Sequence, residues 1–209
     1  RGTEIFASLP IAPSRGILSG NLSLGRGEFV VITGRVGSGK STLVRVLLGL
    51  LPRQSGTITW NGRDVLAPAE FFRPPRCAYT PQVPRLFSNT LRDNILMGLP
   101  EDANTLVEAI HLSVLEEDLN QLEKGLDTLV GPRGLRLSGG QVQRSAAARM
   151  FVRQPELLVF DDLSSALDVE TEQALWDRLE ARRKSGDGEL TCLVVSHRRV
   201  ALRRADHII

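Results

Sequence analysis

Four short, unbroken apolar runs set the framework of this chain: Glu28–Thr33, Cys77–Thr80, Leu157–Asp161 and Thr191–Ser196. Their length and lack of polar alternation predict strands buried on both faces of a parallel sheet. A different pattern, Thr57-Ile58-Thr59-Trp60, then Asn61-Gly62, then Arg63-Asp64-Val65, predicts a hairpin closed by a two-residue turn. Helical spacing predicts helices at Lys40–Leu50, Thr105–Leu112, Gln141–Arg153 and Val169–Lys184. No strand pattern shows between Pro84 and Arg153. The reading therefore places an all-helical insert, residues 84–153, within an α/β core formed by residues 1–83 and 154–209. Gly186-Asp187-Gly188 reads as a surface turn, and no internal repeat is visible.

The strongest chemical signal lies between the first of these strands and the first helix. Residues Gly34-Arg35-Val36-Gly37-Ser38-Gly39-Lys40-Ser41 fit the phosphate-loop pattern G-x-x-x-x-G-K-[ST], and Thr42 follows inside the helix. The glycines let backbone N–H groups turn inward around a polyphosphate, Lys40 reaches its β- and γ-phosphates, and Ser41 offers a hydroxyl to Mg²⁺. The helix adds its positive N-terminal end. A second element is Leu157-Leu158-Val159-Phe160 running into Asp161-Asp162. It sets carboxylates at the C-terminal edge of a parallel sheet, where ligands collect. Asp161 suits Mg²⁺, held with Ser41, and Asp162 stands where a base could polarise an attacking water. A third element is Leu137-Ser138-Gly139-Gly140-Gln141, opening a helix that carries Gln143, Arg144 and Arg149. Ser138 and Gln141 have capping-box spacing, and a capped helix start after two glycines is also an anion site.

Bulk properties narrow the setting. The 209 residues suit one large domain or a core with an insert, and the net charge of +2 gives no broad basic field for nucleic acid. The basic clusters Arg182-Arg183-Lys184 and Arg203-Arg204 read as solvated faces near helix ends. Cys77 and Cys192 lack metal-like spacing and read as buried small residues in a reducing compartment. No apolar run reaches the ~20 residues of a membrane helix. The chain begins at Arg1 rather than Met, which suggests a piece of something longer.

In order, the phosphate loop, Gln82, Leu137–Gln141, the strand ending at Asp161, Ser164-Ser165-Ala166-Leu167-Asp168 and Ser196-His197-Arg198 resemble the nucleotide-binding domain of ATP-binding cassette (ABC) transporters. The resemblance spans nearly the whole chain. It implies a P-loop NTPase (RecA-like) parallel-sheet core with a small antiparallel β subdomain and an inserted α-helical subdomain, with ATP and Mg²⁺ as cofactors. It further implies that two such domains pair head-to-tail. Ser138, Gly139, Gly140 and Gln141 of one would then meet the nucleotide held by the phosphate loop of the other. Gln82 would sense and ligate the metal, and His197 would contact the γ-phosphate and the attacking water. Residues 86–95, Leu-Phe-Ser-Asn-Thr-Leu-Arg-Asp-Asn-Ile, and residues 128–134, Thr-Leu-Val-Gly-Pro-Arg-Gly, resemble exporter-type segments. The second is similar to the loop that touches a membrane domain. The implied partners are a second nucleotide-binding domain and a transmembrane domain fused upstream, at the cytoplasmic face of a membrane.

Three positions depart from the family pattern. Asp162 stands where the family has Glu. Leu129 and Pro132 replace acidic residues in the loop before the signature. The adenine-stacking aromatic is not evident, with Leu9-Pro10-Ile11-Ala12-Pro13 near its place and Phe6 the nearest aromatic. Two other readings stay open: a soluble ABC-type ATPase of nucleic-acid maintenance or translation, and the catalytically impaired half of a heterodimer.

Overall fold

The structure is a computed structural model that describes residues 5–9, 20–185 and 190–209. The turn read at 186–188 and the segment 10–13 lie outside the described residues. In chain order the elements are β1 (Ile5–Leu9), β2 (Gly20–Leu24), β3 (Phe29–Ile32), α1 (Lys40–Leu47), β4 (Thr57–Trp60), β5 (Arg63–Asp64) and α2 (Pro68–Phe71). There follow β6 (Cys77–Thr80), β7 (Asn89–Thr90), α3 (Leu91–Leu96), α4 (Ala103–Leu112), α5 (Glu116–Gln121), β8 (Leu129–Val130) and α6 (Gly139–Phe151). The chain closes with β9 (Leu157–Asp161), α7 (Val169–Lys184), β10 (Thr191–Val195), α8 (Arg199–Leu202) and β11 (His207–Ile208).

The four apolar runs form adjacent parallel strands in a sheet ordered β11-β3-β10-β9-β6. Every residue of β3, β9 and β10 is buried, as strands covered on both faces require. The two-residue side-chain period then sorts them into two cores. Phe29, Val31, Leu158, Phe160, Cys192 and Val194 pack with α6, α7 and the helical insert. Val30, Ile32, Leu157, Val159, Leu193 and Val195 pack with Val44 and Leu47 of α1 and with Ile58 and Trp60 of β4. The second core is roofed by an antiparallel sheet, β2-β1-β4-β5. Its hairpin closes through Asn61 and Gly62, both at positive φ, as a type I′ turn requires.

Several expectations need correction. The insert is not all-helical: Asn89 pairs with Val130 and Thr90 with Leu129 in a small antiparallel sheet, too short for a two-residue period to register in the sequence. Helix α1 ends at Leu47 rather than Leu50. There Gly49 turns left-handed, and a Cβ on it would stand 2.3 Å from the Ala69 nitrogen. Four of the five residues in the basic clusters are ion-paired rather than merely solvated, Arg203 staying exposed. Arg182 binds Glu108 at 2.6 Å, Arg183 binds Asp206 at 2.5 Å, Lys184 binds Glu180 at 2.5 Å, and Arg204 binds Asp177. Asp206 also accepts from the Phe29 amide at 2.8 Å, which secures β11 beside β3. Both cysteines are free and buried, and burial pushes the Cys192 thiol up to about 12.

Trp176 of α7 anchors the larger core, with Phe29 and Phe160 each edge-on at 5.5 Å between ring centroids. Truncating Trp176 to Ala should cost about 3–5 kcal/mol. Denaturant unfolding checks this, and a loss below about 1 kcal/mol would show that α7 is not held through this ring.

Candidate functional site

Strands β3, β6, β9 and β10 all end at one edge of the sheet, and each is followed there by a polar segment. The glycine-rich loop follows β3, Gln82 lies two residues past β6, Asp162 follows β9, and Ser196-His197 follows β10. Between them lies a cleft of about 360 Å³, lined by Val36, Gly37, Gly39, Lys40, Ser41, Thr42, Gln82, Asp161, Asp162, Val195, Ser196 and His197. Residues from four separate stretches of sequence thus meet where the topology of an open α/β sheet places ligands.

The loop ends in Gly39, at φ 91°, which leads into α1 with no side-chain cap. The first amides of α1 are therefore left to whatever occupies the cleft, the arrangement of an anion site at a helix N-terminus. Lys40 reaches back across the loop, donating to the carbonyls of Gly34 and Arg35 at 2.9 Å each. Its ammonium is held at the loop as a compact positive charge. Gly34, Arg35 and Ser38 shape the loop without lining the cleft; Ser38 donates its amide to the Arg35 carbonyl at 3.1 Å.

Asp161 follows Leu157 and Val159 in the strand period, so its side chain projects to the α1 side of the sheet. There the Ser41 hydroxyl donates to its Oδ1 at 2.7 Å, and Asp161 is 0% exposed. The Tyr79 hydroxyl donates to Oδ2 at 3.1 Å, and Arg45 of α1 stands beside both. Burial, more than any charge nearby, pushes the Tyr79 phenol up and keeps it a proton donor. Serine and aspartate oxygens fit a hard cation. No group of three or more His, Cys, Asp or Glu side chains gathers among the described residues. One carboxylate and one hydroxyl are a donor set that fits Mg²⁺, which takes one or two carboxylates and completes its shell with phosphate oxygens and water.

Asp162 continues the ladder through its amide to the Val195 carbonyl at 2.9 Å, then turns left-handed at φ 54°. That turn swings its carboxylate into the cleft. Oδ2 accepts from the Gln82 amide nitrogen at 3.2 Å, while Oδ1 is buried without a protein partner. Burial raises the carboxyl above its usual range, and the His197 charge opposes the rise. A buried carboxylate oxygen without a partner is an acceptor left unfilled by the protein itself.

Ser138, Gly139, Gly140 and Gln141 do not join this cluster; none lines the cleft. They form a complete capping box at the start of α6. Gln141 donates its amide to Ser138 Oγ at 3.2 Å, and Ser138 donates its own to Gln141 Oε1 at 2.8 Å. The Gln141 side-chain nitrogen also reaches Asp118 at 3.1 Å, and Arg144 grips Asp118 at 2.6 Å. Gln143 ties α6 to the loop after β9, donating to Ser165 Oγ at 2.8 Å and accepting from the Ala166 amide at 3.0 Å. Tyr79 and Arg45 did not stand out in the sequence. The signal was there in register, because Tyr79 lies opposite Val159, two residues short of Asp161, on the same sheet face. Phe6 lies in β1, whose backbone alone is described, so the adenine contact is not among the described side chains.

The two exporter-like stretches also meet. They pair as β7 and β8, and the Arg133 amide donates to Ser88 Oγ at 3.2 Å. Beside them opens a second cleft of about 430 Å³, lined by Phe87, Asn89, Asp93, Asn94, Met97 and Gly98. Asn94 at its floor is buried and saturated, accepting from the Phe87 amide and donating to the carbonyls of Phe87 and Thr90. Leu129 and Phe87 are 57% and 59% exposed.

A family model described as ABC transporter matches residues 19–165. A Rickettsia conorii protein whose name pairs an export ATP-binding part with a permease is 38% identical over 192 residues, 90% of this chain and 32% of its own length. Heavy metal tolerance factor 1 of Caenorhabditis elegans is 36% identical over 213 residues, all of this chain and 26% of that protein. A bacterial Atm1-family ABC exporter solved with ATP bound superposes with a TM-score of 0.88 at 28% identity, covering all of this chain and 37% of that one. The chain spans about a third of the length of the first curated relatives it matches. No helix among the described residues is long and apolar enough to cross a membrane.

Lys40 supplies the strongest test of the loop as a phosphate site. Replacing it with Ala removes a charge-assisted contact of roughly 1.5–3 kcal/mol, which should weaken nucleotide binding by about one to two decades. Titration with a fluorescent nucleotide measures this, and an unchanged affinity would reject the assignment.

Proposed function

This chain belongs to the ABC transporter family, and on that premise we propose that it is the MgATP-driven motor domain of an exporter at the cytoplasmic face of a membrane. The observation that carries the reading is the Ser41–Asp161 contact of 2.7 Å, set directly behind a phosphate loop at the sheet edge. The loop amides, the start of α1 and Lys40 hold the β- and γ-phosphates. Ser41 and Asp161 would hold Mg²⁺, with the Gln82 oxygen available as a further ligand, and the ion would supply positive charge against the phosphate oxygens. Asp162 takes a proton from the attacking water, whose oxygen bonds to the γ-phosphorus as the bond to ADP breaks. His197, facing Asp162 across the cleft, steadies the γ-phosphate and that water.

The signature residues serve a partner's nucleotide rather than this chain's own. Their absence from the cleft lining supports this, as does the rigid capped helix on which they stand. A two-fold pair then makes a complete site from one chain's loop and the other's Ser138, Gly139 and Gly140. The cleft beside β7 and β8, rimmed by exposed Phe87 and Leu129, is where we place the transmembrane domain. The permease part in the names of longer relatives supports such a partner. In sedimentation, the chain should be monomeric without nucleotide and should associate when ATP is bound and hydrolysis is blocked. A monomer under both conditions, even with the membrane domain supplied, would count against shared sites.

Asp162 makes this chain's own site slow. Asp is one methylene shorter than Glu, which retracts the carboxylate by about 1.5 Å. A misplacement of about 1 Å can cost on the order of a hundredfold in rate. Its Oδ2 is moreover already engaged by Gln82. Asp162→Glu should therefore raise the ATPase rate by at least about tenfold with ATP affinity unchanged. A wild-type rate equal to that of the variant, in a steady-state phosphate-release assay, would sink the impaired-site reading.

A further inference from the structure

Asp161 is a fully buried carboxylate with two oxygens in different company. Oδ1 accepts from the Ser41 hydroxyl at 2.7 Å, and Oδ2 accepts from the Tyr79 hydroxyl at 3.1 Å. Arg45 Nε lies 3.5 Å from the Tyr79 oxygen, and Arg45 Nη2 lies 3.9 Å from Asp161 Oδ2. Guanidinium nitrogens only donate, so the Tyr79 oxygen accepts from Arg45 and its single proton is left for Asp161. The donor chain has one possible direction, Arg45 to Tyr79 to Asp161.

The fold produces this arrangement. Cys77 and Tyr79 of β6 share a sheet face with Leu157 and Val159 of β9, and Tyr79 lies opposite Val159. Asp161 is the next residue of β9 on that face, at the diagonal distance a tyrosine can span. Arg45 lies one helical turn past Ser41 on α1, so both ends of the carboxylate are met from the same helix. Geometry of this kind matters because rotation of an aspartate carboxylate about χ2 is broad. A serine that ligates a cation through its lone pairs still has a proton to place, and Oδ1 is its acceptor.

We propose that Tyr79 is a positioning residue for the divalent cation: its hydroxyl pins Oδ2 of Asp161 so that Oδ1 stays turned to Ser41, with Arg45 fixing the hydroxyl's direction. This rests on the metal-and-nucleotide reading above. Without the tyrosine hydroxyl, Arg45, whose side chain is 45% exposed, is free to bind Asp161 directly and draw it from Ser41. Hydrogen-bond partners behind a metal ligand commonly change metal affinity by 10–100-fold.

The test measures binding, not turnover, in the intact protein. A fluorescent ATP analogue is titrated in EDTA and again with Mn²⁺, and bound Mn²⁺ is followed by its paramagnetic resonance spectrum. Tyr79→Phe should bind the analogue in EDTA within about twofold of wild type. The tightening caused by Mn²⁺ should fall about tenfold, with an altered Mn²⁺ spectrum. Arg45→Met, on an exposed side chain, should reduce the same tightening about two- to threefold. Equal tightening in wild type and Tyr79→Phe would overturn the proposal, as would a parallel loss in EDTA and in Mn²⁺, the mark of a purely structural tyrosine. No binding of the analogue by wild type would instead overturn the nucleotide reading beneath it.

Discussion

The contact between the Ser41 hydroxyl and the Asp161 carboxylate, joining residues 120 positions apart, governs how the rest of this molecule is arranged. A carboxylate with no exposed surface is costly unless every oxygen is met, since burial disfavours the charge. Two hydroxyls meet this one, Ser41 from α1 and Tyr79 from β6, and the Arg45 guanidinium of α1 stands 3.9 Å from its Oδ2. That demand fixes where α1 crosses β9, and hence where the glycine loop ahead of α1 opens. Val44 and Leu47 complete the placement by packing on the same sheet face. The phosphate loop is therefore aimed by a buried polar contact and an apolar helix face acting together.

The two faces of the sheet separate two tasks. On one, α1 and the antiparallel sheet enclose the strand residues that lead to Asp161. On the other, α6, α7 and the insert share the core centred on Trp176 and Phe160. Asp162 sits at the boundary. Its positive φ turns the chain away from the strand geometry that oriented Asp161 and presents the second carboxylate to Gln82 and His197. Aspartate adopts this left-handed conformation more readily than most residues, so the turn is made at little cost.

Much of this was legible in the sequence because the strongest signals are local. The strands at 77–80 and 157–161, helix Val169–Lys184 and the Asn-Gly hairpin follow from period, length and turn chemistry, and they stand as read. The capping box at Ser138 and Gln141 was visible in three-residue spacing. What was hidden depends on pairing across distance. Strands β7 and β8 have two residues each, and β11 exposes both of its residues, so none carries a pattern. The end of α1 is set by Gly49 against Ala69, a contact absent from any local window. Tyr79 looked like an ordinary strand aromatic. Its chemistry appears only once register places it diagonal to Asp161. The ion pairs of Arg182, Arg183 and Arg204 were missed for the same reason, since their partners lie on other segments.

The start of α6 stands apart from the cleft and is held there by side-chain contacts. Its N-terminus is braced from two directions, by Asp118 through Gln141 and Arg144, and by the loop after β9 through Gln143. That loop also bonds to Asp162, whose carbonyl accepts from the Ser165 amide at 3.2 Å, and a Cβ on Gly140 would press on the Ala166 carbonyl at 3.1 Å, so the helix start packs closely against it. The Ser165–Asp162 bond is one route from the bracing back to the cleft, and a second runs through Arg198. Arg198, beside His197, bonds to both Glu172 and the Ser165 carbonyl at 2.8 and 3.2 Å, the latter one atom group away from the Gln143 anchor. The segment beside His197 thus has a short, bonded path to the start of α6. Coupling between paired sites needs such a contiguous network together with two arrangements for it to choose between.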